Sequence, residues 1–330
     1  KTKQVIGFPT LKFNTVQRHL WARMADQLKR TGRIRQAWGK ARQVGACLDP
    51  ETRVLMADLR WKRIDDVEVG DTVVSVDEFS PARRGAARRM RNATVVARHD
   101  VIEPAYALWM DNDEHLIATG RHRFLSKKVT ASSGNTWWRP VRLLRPGHAI
   151  RSITRPWGDS TYEDGWFGGM IDGEGFGRVR REGGVELTMT QVAGPVLARA
   201  ERYLKERGYS VYADVDVREA GTSSKLGSQP VHKLHLCRMN ELFRLLGQTR
   251  PTRVLAGHWW VDKALPGYGR GGDIAWSKIV SVDPLGVRRM VDLQTTTGTF
   301  IAEGFVSHNS TLARAISFHN TAFKNNRNAF

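Results

Sequence analysis

The chain has 330 residues, 41% of them hydrophobic and 26% charged, with 52 Lys and Arg against 33 Asp and Glu for a net charge of +19. That length gives two domains or three, and with no long apolar run the composition excludes a transmembrane helix and a secretory signal, leaving a soluble protein expected in the cytoplasm. Two cysteines, Cys47 and Cys237, are too few for a disulfide framework or a zinc finger, and point to one reactive thiol and one buried bystander in a reducing compartment.

The positive balance points to a polyanionic partner, most simply nucleic acid, and its distribution is uneven. Residues 1–46 hold eleven Lys and Arg against one acid, Asp26, and residues 310–330 hold three bases and no acid, so these flanks carry most of the excess. Two ends of one composition around a middle of another read as a host interrupted by an insert. The start at Lys1 points to a fragment.

In chain order, Val16, Leu20, Met24 and Leu28 recur every four residues and predict an amphipathic helix over 15–28. From Cys47 the texture changes to short alternating runs, Thr52 to Met56, Thr72 to Val76, Thr94 to Ala97 and His115 to Ala118, bounded by Gly, Asp or Pro as strands are. Arg83 to Arg91 reads as a solvated basic loop, with a nucleic-acid contact as the alternative. Between Thr161 and Arg250 the pattern is mixed. A glycine-rich apolar stretch is followed by a strand from Val185 to Thr190, a helix from Pro195 to Arg207 stopped by Gly208, a hairpin through Val211 to Val217 and Val231 to Leu236, and a helix from Asn240 to Leu246. Strands return at Lys278 to Val282, Met290 to Gln294 and Thr299 to Ala302, as though the first β module resumes.

The run Cys47-Leu-Asp-Pro-Glu-Thr-Arg-Val-Leu, with Ile64-Asp-Asp-Val-Glu-Val-Gly-Asp-Thr-Val-Val-Ser after it, resembles the start of an intein. Val291-Asp-Leu, with Thr299-Phe-Ile-Ala-Glu-Gly-Phe-Val-Ser-His-Asn-Ser310, resembles its end, and Thr119-Gly-Arg-His122 resembles the internal Thr-x-x-His motif. The resemblance implies a mostly β fold: a horseshoe-like all-β splicing (Hint) domain made of residues 47–150 and 273–309, with flanking extein segments 1–46 and 310–330. A Hedgehog-type autoprocessing domain shares the fold and Cys47, but Asn309 and Ser310 argue against it. A DNA-binding regulator without covalent chemistry is the other alternative.

The residue types suit the chemistry. Cys is the best nucleophile for attack on the Ala46 carbonyl, since even a small thiolate fraction is strongly reactive. By resemblance, Thr119 and His122 hydrogen-bond the scissile amide, with His122 able to protonate the departing nitrogen, and Asp292 tunes the Cys47 thiol. Ser310 takes the acyl group, and Asn309 cyclises to a succinimide with help from His308. Splicing of this kind needs no cofactor. The family often has a further His shortly before the Phe of its last block. Here Gly298 and Thr299 precede Phe300, which leaves open which group assists Asn309.

Phe167-Gly-Gly-Met-Ile-Asp-Gly-Glu-Gly175 resembles the LAGLIDADG motif of homing endonucleases and implies an α+β nuclease domain inserted over 151–272. Gly168, Gly169 and Gly173 would let two motif helices approach closely. Glu174, with Asp172 beside it, would bind Mg²⁺, and the hairpin 211–236 would lie in a groove of double-stranded DNA. The motif occurs once, since Val254 to Gly272 supplies no convincing second copy. Cleavage would therefore need a homodimer or a degenerate second half, and a decayed nuclease is the equal alternative.

Joined across the insert, Lys40-Ala-Arg-Gln-Val-Gly45-Ala46 and Ser310-Thr311-Leu-Ala-Arg resemble a variant phosphate-binding loop entering a helix, of the kind found in the ATPase of viral (phage) large terminase subunits. The resemblance implies ATP and Mg²⁺ held by Lys40, Gly45, Ser310 and Thr311, with Gln17 contacting adenine, in the joined host alone. Another phosphate-loop ATPase such as a helicase is the competitor.

Overall fold

The computed structural model describes residues 46–80, 88–129, 136–179, 184–217, 229–265 and 276–309, together with Asp26 and Arg30. The chain divides into two units, Lys1–Arg42 and Gln43–Phe330. In the first, Arg30 pairs with Asp26 one helical turn away at 2.5 Å. Gln17, Lys40, Gly45 and Thr311, expected to bind nucleotide, and Ser310, expected as the second nucleophile, lie outside the described residues.

The second unit is dominated by β-structure. Its larger sheet contains β1 (Arg53–Leu55), β2 (Trp61–Arg63), β3 (Thr72–Val76), β4 (Met90–Met110), β5 (His115–Thr119), β6 (Arg123–Lys128), β7 (Trp137–Pro140) and β8 (His148–Arg151). After residues 152–275 the same sheet regains three further strands, called β13 to β15 below because four strands intervene. All its pairings are antiparallel, in the order β2-β1-β14-β15-β6-β8-β13-β4-β3, with β5 on β4 and β7 on β6. Strands from both ends of the sequence therefore alternate in space, and neither half could close the sheet alone.

The returning strands are β13 (Trp276–Thr295), β14 (Thr299–Ala302) and β15 (Phe305–His308). Two of the runs expected as separate strands, around 278–282 and 290–294, are one: β13 continues through Pro284 and Gly286 with a register shift there, its residues 279–295 pairing with 95–110 of the 21-residue β4. Pro284 lacks a ladder donor, and the bulge accommodates it without ending the strand. The basic tract expected as a solvated loop becomes, where described, the start of β4. Met90 is fully buried, and Arg91 is neutralised by Asp77 at 2.7 Å and by Asp262.

Gly304 turns β14 into β15. Its φ of +85° is open to glycine at no steric cost, and a Cβ there would overlap the Thr154 carbonyl oxygen. Arg53 grips Glu303 in that turn with a forked pair, 2.8 Å at its shortest between charged ends. The turn thereby fixes the strand that ends in His308.

Residues 162–255 form the inserted α+β layer: α1 (Tyr162–Glu174), β9 (Gly175–Val179), β10 (Val185–Val192), α2 (Pro195–Glu206), β11 (Tyr212–Asp216), β12 (Val231–Leu236), α3 (Met239–Thr249) and α4 (Thr252–Leu255). The four strands are antiparallel in the order β11-β12-β10-β9. Thr161 starts α1 with a reciprocal cap: its hydroxyl accepts from the Asp164 N–H at 3.3 Å while Asp164 accepts the Thr161 N–H at 2.7 Å. Gly168 lets α1 lie directly on the backbone of Thr249, at the end of α3. Phe167, Ile171, Leu187, Met189, Leu204, Leu242 and Trp260 fill the core, which is continuous with Leu55, Leu59, Val76 and Leu125 of the larger sheet. No helix among the described residues is long and apolar enough to cross a membrane.

Candidate active site

Residues 47–49 run between β5 and β13 and hydrogen-bond both. The Leu48 N–H donates to Val291 O at 2.9 Å and Val291 N–H returns the bond at 2.8 Å, while Asp49 N–H donates to Ile117 O at 3.0 Å. This fixes Cys47 at 1% exposure, against Ala105 and Met290. Side chains two apart on a strand share a face, so Asp292, also buried, lies on the Met290 side of β13. Its Oδ2 accepts from Gln294 Nε2 at 3.4 Å.

Thr119 ends β5, and the next residues turn so tightly that the His122 N–H donates to Thr119 O at 3.0 Å. That turn brings a Thr and a His three apart in sequence against the same Ala46–Cys47 peptide. Thr119 Oγ1 accepts the Cys47 N–H at 3.0 Å, and Thr119 N–H donates to Cys47 O at 3.0 Å. The nitrogen of the Ala46–Cys47 peptide is thus held before any chemistry begins.

His122 is completely buried. Its Nε2 lies 2.6 Å from Ser307 Oγ, and the Ala46 backbone is the other polar group against the ring. With the Ser307 hydroxyl donating to Nε2, the ring proton sits on Nδ1, which has no other hydrogen-bond partner. Burial is the main cause that pushes the His122 pKa down to about 3; His308 adds to the depression and the Ala46 backbone opposes it. The resting imidazole is therefore neutral at physiological pH.

Ser307 and His308 end β15, which pairs with β6 through Ser307 and Phe124, and His308 and Arg123, and Asn309 follows it. Asn309 is 4% exposed. Its backbone N–H donates to Gly298 O at 3.1 Å; with the side-chain amide oriented to satisfy its neighbours, Nδ2 also donates to Gly298 O at 3.0 Å and the oxygen accepts from Thr295 N–H at 2.5 Å. The Thr295–Thr299 loop is itself pinned by Thr299 Oγ1, which donates to Val76 O at 2.6 Å and lies 2.7 Å from Ser75 Oγ. His308 Nε2 lies 3.1 Å from Glu78 Oε1, and burial pushes its pKa below the ordinary value against the opposing pull of Glu78 and the Asn309 backbone.

The structure thus brings Cys47, Thr119, His122, Asp292, His308 and Asn309 of the expected set into one region. It adds Ser307, Thr295, Gly298 and Glu78, which sequence reasoning missed. Ser307 lies within the last block but carries no assigned role there, and Glu78 belongs to no motif; both meet their histidines, His122 and His308, across 185 and 230 positions of sequence.

The expected nuclease residues sit elsewhere. Asp172 spends both carboxylate oxygens on the first amides of α4, Thr252 N–H at 2.8 Å and Arg253 N–H at 2.9 Å, so it acts as a cap. Glu174, at the end of α1, is exposed. Among the described residues no group of three His, Cys, Asp or Glu side chains could hold a metal ion. In the described parts of the hairpin, Lys233 pairs with Asp216 at 3.2 Å and His235 lies 3.3 Å from Asp214, which offsets its basic charge. Cys237, expected as a buried bystander, is partly exposed and forms no disulfide.

No protein-family model and no curated protein matches the sequence. Among solved structures, the chain is similar to a DnaB intein from Synechocystis sp. PCC 6803 at 12% identity, TM-score 0.36, over 80% of this chain and 98% of that one. It is also similar to the DnaX mini intein from Spirulina platensis at 12% identity, TM-score 0.34, over 80% and 99%. A third likeness is to the PabCDC21-1 intein at 12% identity, TM-score 0.35, over 80% and 99%.

Proposed function

We propose that this chain excises residues 47–309 from itself and joins Ala46 to Ser310. The observation that carries the reading is one run of contacts, from the Cys47 N–H through Thr119 and the 119–122 turn to His122, Ser307, His308 and Asn309, so that two junctions 262 positions apart in sequence share a site. The Cys47 sulfur attacks the Ala46 carbonyl carbon, and the peptide nitrogen leaves with a proton, turning the amide into a thioester. Thr119 orients that nitrogen and His122 places an N–H at the scissile group. The Ser310 hydroxyl then takes the acyl group. Asn309 Nδ2, held on the Gly298 carbonyl, closes on its own carbonyl carbon and releases the C-terminal flank, after which the ester rearranges to an amide.

Intact-mass measurement of the purified chain over time tests this. The parent is expected to give a 67-residue ligated product and a 263-residue excised segment, and neither Cys47→Ala nor Asn309→Ala gives the ligated product. A parent that stays whole under reducing conditions and yields no N-terminal fragment with hydroxylamine would falsify the reading.

For the inserted layer we propose a DNA-binding module of the LAGLIDADG kind that cuts only as a homodimer. Gly165, Gly169 and Gly173 recur every four residues on α1 with open space where a Cβ would stand, as close packing of a second α1 requires. With Asp172 engaged as a cap, the described residues of one chain hold no cluster for Mg²⁺, and Glu174 from each of two copies is the carboxylate proposed to hold it. Sedimentation of the parent with double-stranded DNA is expected to show a 2:1 complex, and plasmid cleavage in Mg²⁺ is expected to disappear in Glu174→Gln. A monomer that neither binds nor cuts supports a decayed nuclease. The flanks, by their sequence, fit the two halves of a terminase-like phosphate loop, with ATP bound after joining alone.

A further inference from the structure

We propose that Glu78 is the positioning residue for the C-terminal step, holding His308 so that its second ring nitrogen serves the Asn309 carbonyl. This rests on the splicing reading above and adds to it a group that no motif contains. Glu78 follows β3, is 7% exposed, and places Oε1 at 3.1 Å from His308 Nε2, itself 2% exposed. A buried carboxylate beside an imidazole accepts its N–H, and so fixes which nitrogen carries the proton.

The surroundings hold Glu78 in place rather than leave it to chance. Trp138 Nε1 donates to the Glu78 backbone carbonyl at 2.7 Å, and the Arg88 guanidinium donates to the same oxygen at 3.4 Å. The Trp138 ring meets the His308 ring edge-on at 4.8 Å. The second carboxylate oxygen of Glu78 stands 3.1 Å from where a Cβ of Gly298 would be, and Gly298 is the residue whose carbonyl holds the Asn309 amide. Glu78, His308 and Asn309 therefore form one packed row, closed on its far side by Thr295.

With Nε2 committed to Glu78, Nδ1 is the nitrogen left for the Asn309 backbone, the other polar group acting on the ring. In the cyclisation the Asn309 Nδ2–C bond forms, the bond from that carbon to the Ser310 nitrogen breaks, one proton leaves Nδ2 and one arrives at the Ser310 nitrogen. His308 carries that proton through Nδ1. Glu78 stays a carboxylate throughout and stabilises the imidazolium while it exists, against Arg123, which disfavours it, and with neutral His122 nearby.

The test is release of residues 310–330 from the Cys47→Ala chain, in which the N-terminal steps are off, compared with the same chain carrying Glu78→Gln, from pH 5 to pH 9. Glu78→Gln keeps the shape and is expected to slow release about 10- to 100-fold and to move the acid limb of the profile to lower pH, since the carboxylate that favours protonated His308 is gone. Hydroxylamine cleavage at Ala46, read in an Asn309→Ala chain, is expected to be unchanged by Glu78→Gln. Release at the parent rate with an unshifted profile overturns the proposal alone, as does equal loss at both junctions, which would make Glu78 merely structural. A Cys47→Ala chain that releases nothing, from a parent that also forms no thioester, overturns the splicing reading and the proposal with it.

Discussion

Replacing His122 by Ala is expected to slow thioester formation at the Ala46–Cys47 junction by about 10²- to 10⁴-fold, the range for loss of a placed proton donor. The cause is local. The scissile nitrogen is already held by Thr119 Oγ1 at 3.0 Å, and His122 is the group against Ala46 that can give a proton as the nitrogen departs. Hydroxylamine-released N-terminal fragment, followed in an Asn309→Ala chain, measures the step. Ser307→Ala is expected to cost about fivefold there, as loss of one neutral hydrogen bond of about 1 kcal/mol implies, because Ser307 sets the tautomer without touching the junction. Equal rates in the parent and His122→Ala chains would remove His122 from the mechanism.

The second large effect is on stability against pH. In the unfolded chain His122 takes a proton near pH 6.5, whereas in the fold its pKa is pushed down to about 3. Above pH 6.5 both states are neutral and nothing is lost. As pH falls below 6.5 the unfolded state alone gains the proton, so stability drops by about 1.4 kcal/mol per pH unit for this group. His308, also depressed, adds a loss of the same sign. Urea unfolding of a non-reacting Cys47→Ala, Asn309→Ala chain between pH 7 and pH 5 measures the slope, before carboxylates such as Asp65 and Asp164 begin to titrate. Adding His122→Gln is expected to flatten the slope by about one proton; an unchanged slope would mean that His122 is charged in the fold.

Much of the fold is legible where runs of apolar and β-branched residues lie between turn residues. Thr72–Val76 and Thr299–Ala302 read as strands, and Pro195–Glu206, with Gly208 at φ +68° beyond it, reads as a helix with its stop. Among the strands that sequence reasoning missed, β6 and β15 are short and carry polar residues: β6 buries Ser126 beside Phe124 and Leu125, and β15 buries Ser307 and His308. A short run broken by polar residues is read as loop. The expected junction residues could be named because the proposed chemistry demands particular residue types. Glu78 could not, since an acid at the end of an apolar strand is ordinary until His308, 230 positions later, is folded against it.

Arg151 and Trp276 are cross-strand partners at the adjoining ends of β8 and β13. To the pairing of β8 with β13, what lies between them is a loop, and closing a long loop costs only slightly more than closing a short one. In evolution the inserted layer could therefore come and go without opening that pairing, although the start of β4 would lose the backbone hydrogen bonds that Met90 makes to Asp262 and Lys263. Its departure would not be silent, however: Trp157, wedged over Gly247 and edge-on to Trp61 at 5.3 Å, together with Leu59 and Leu55, would be left facing water. A lineage that shed the insert would have to recolour that patch with polar residues, and Trp61 and Leu59 are where such a scar would be written.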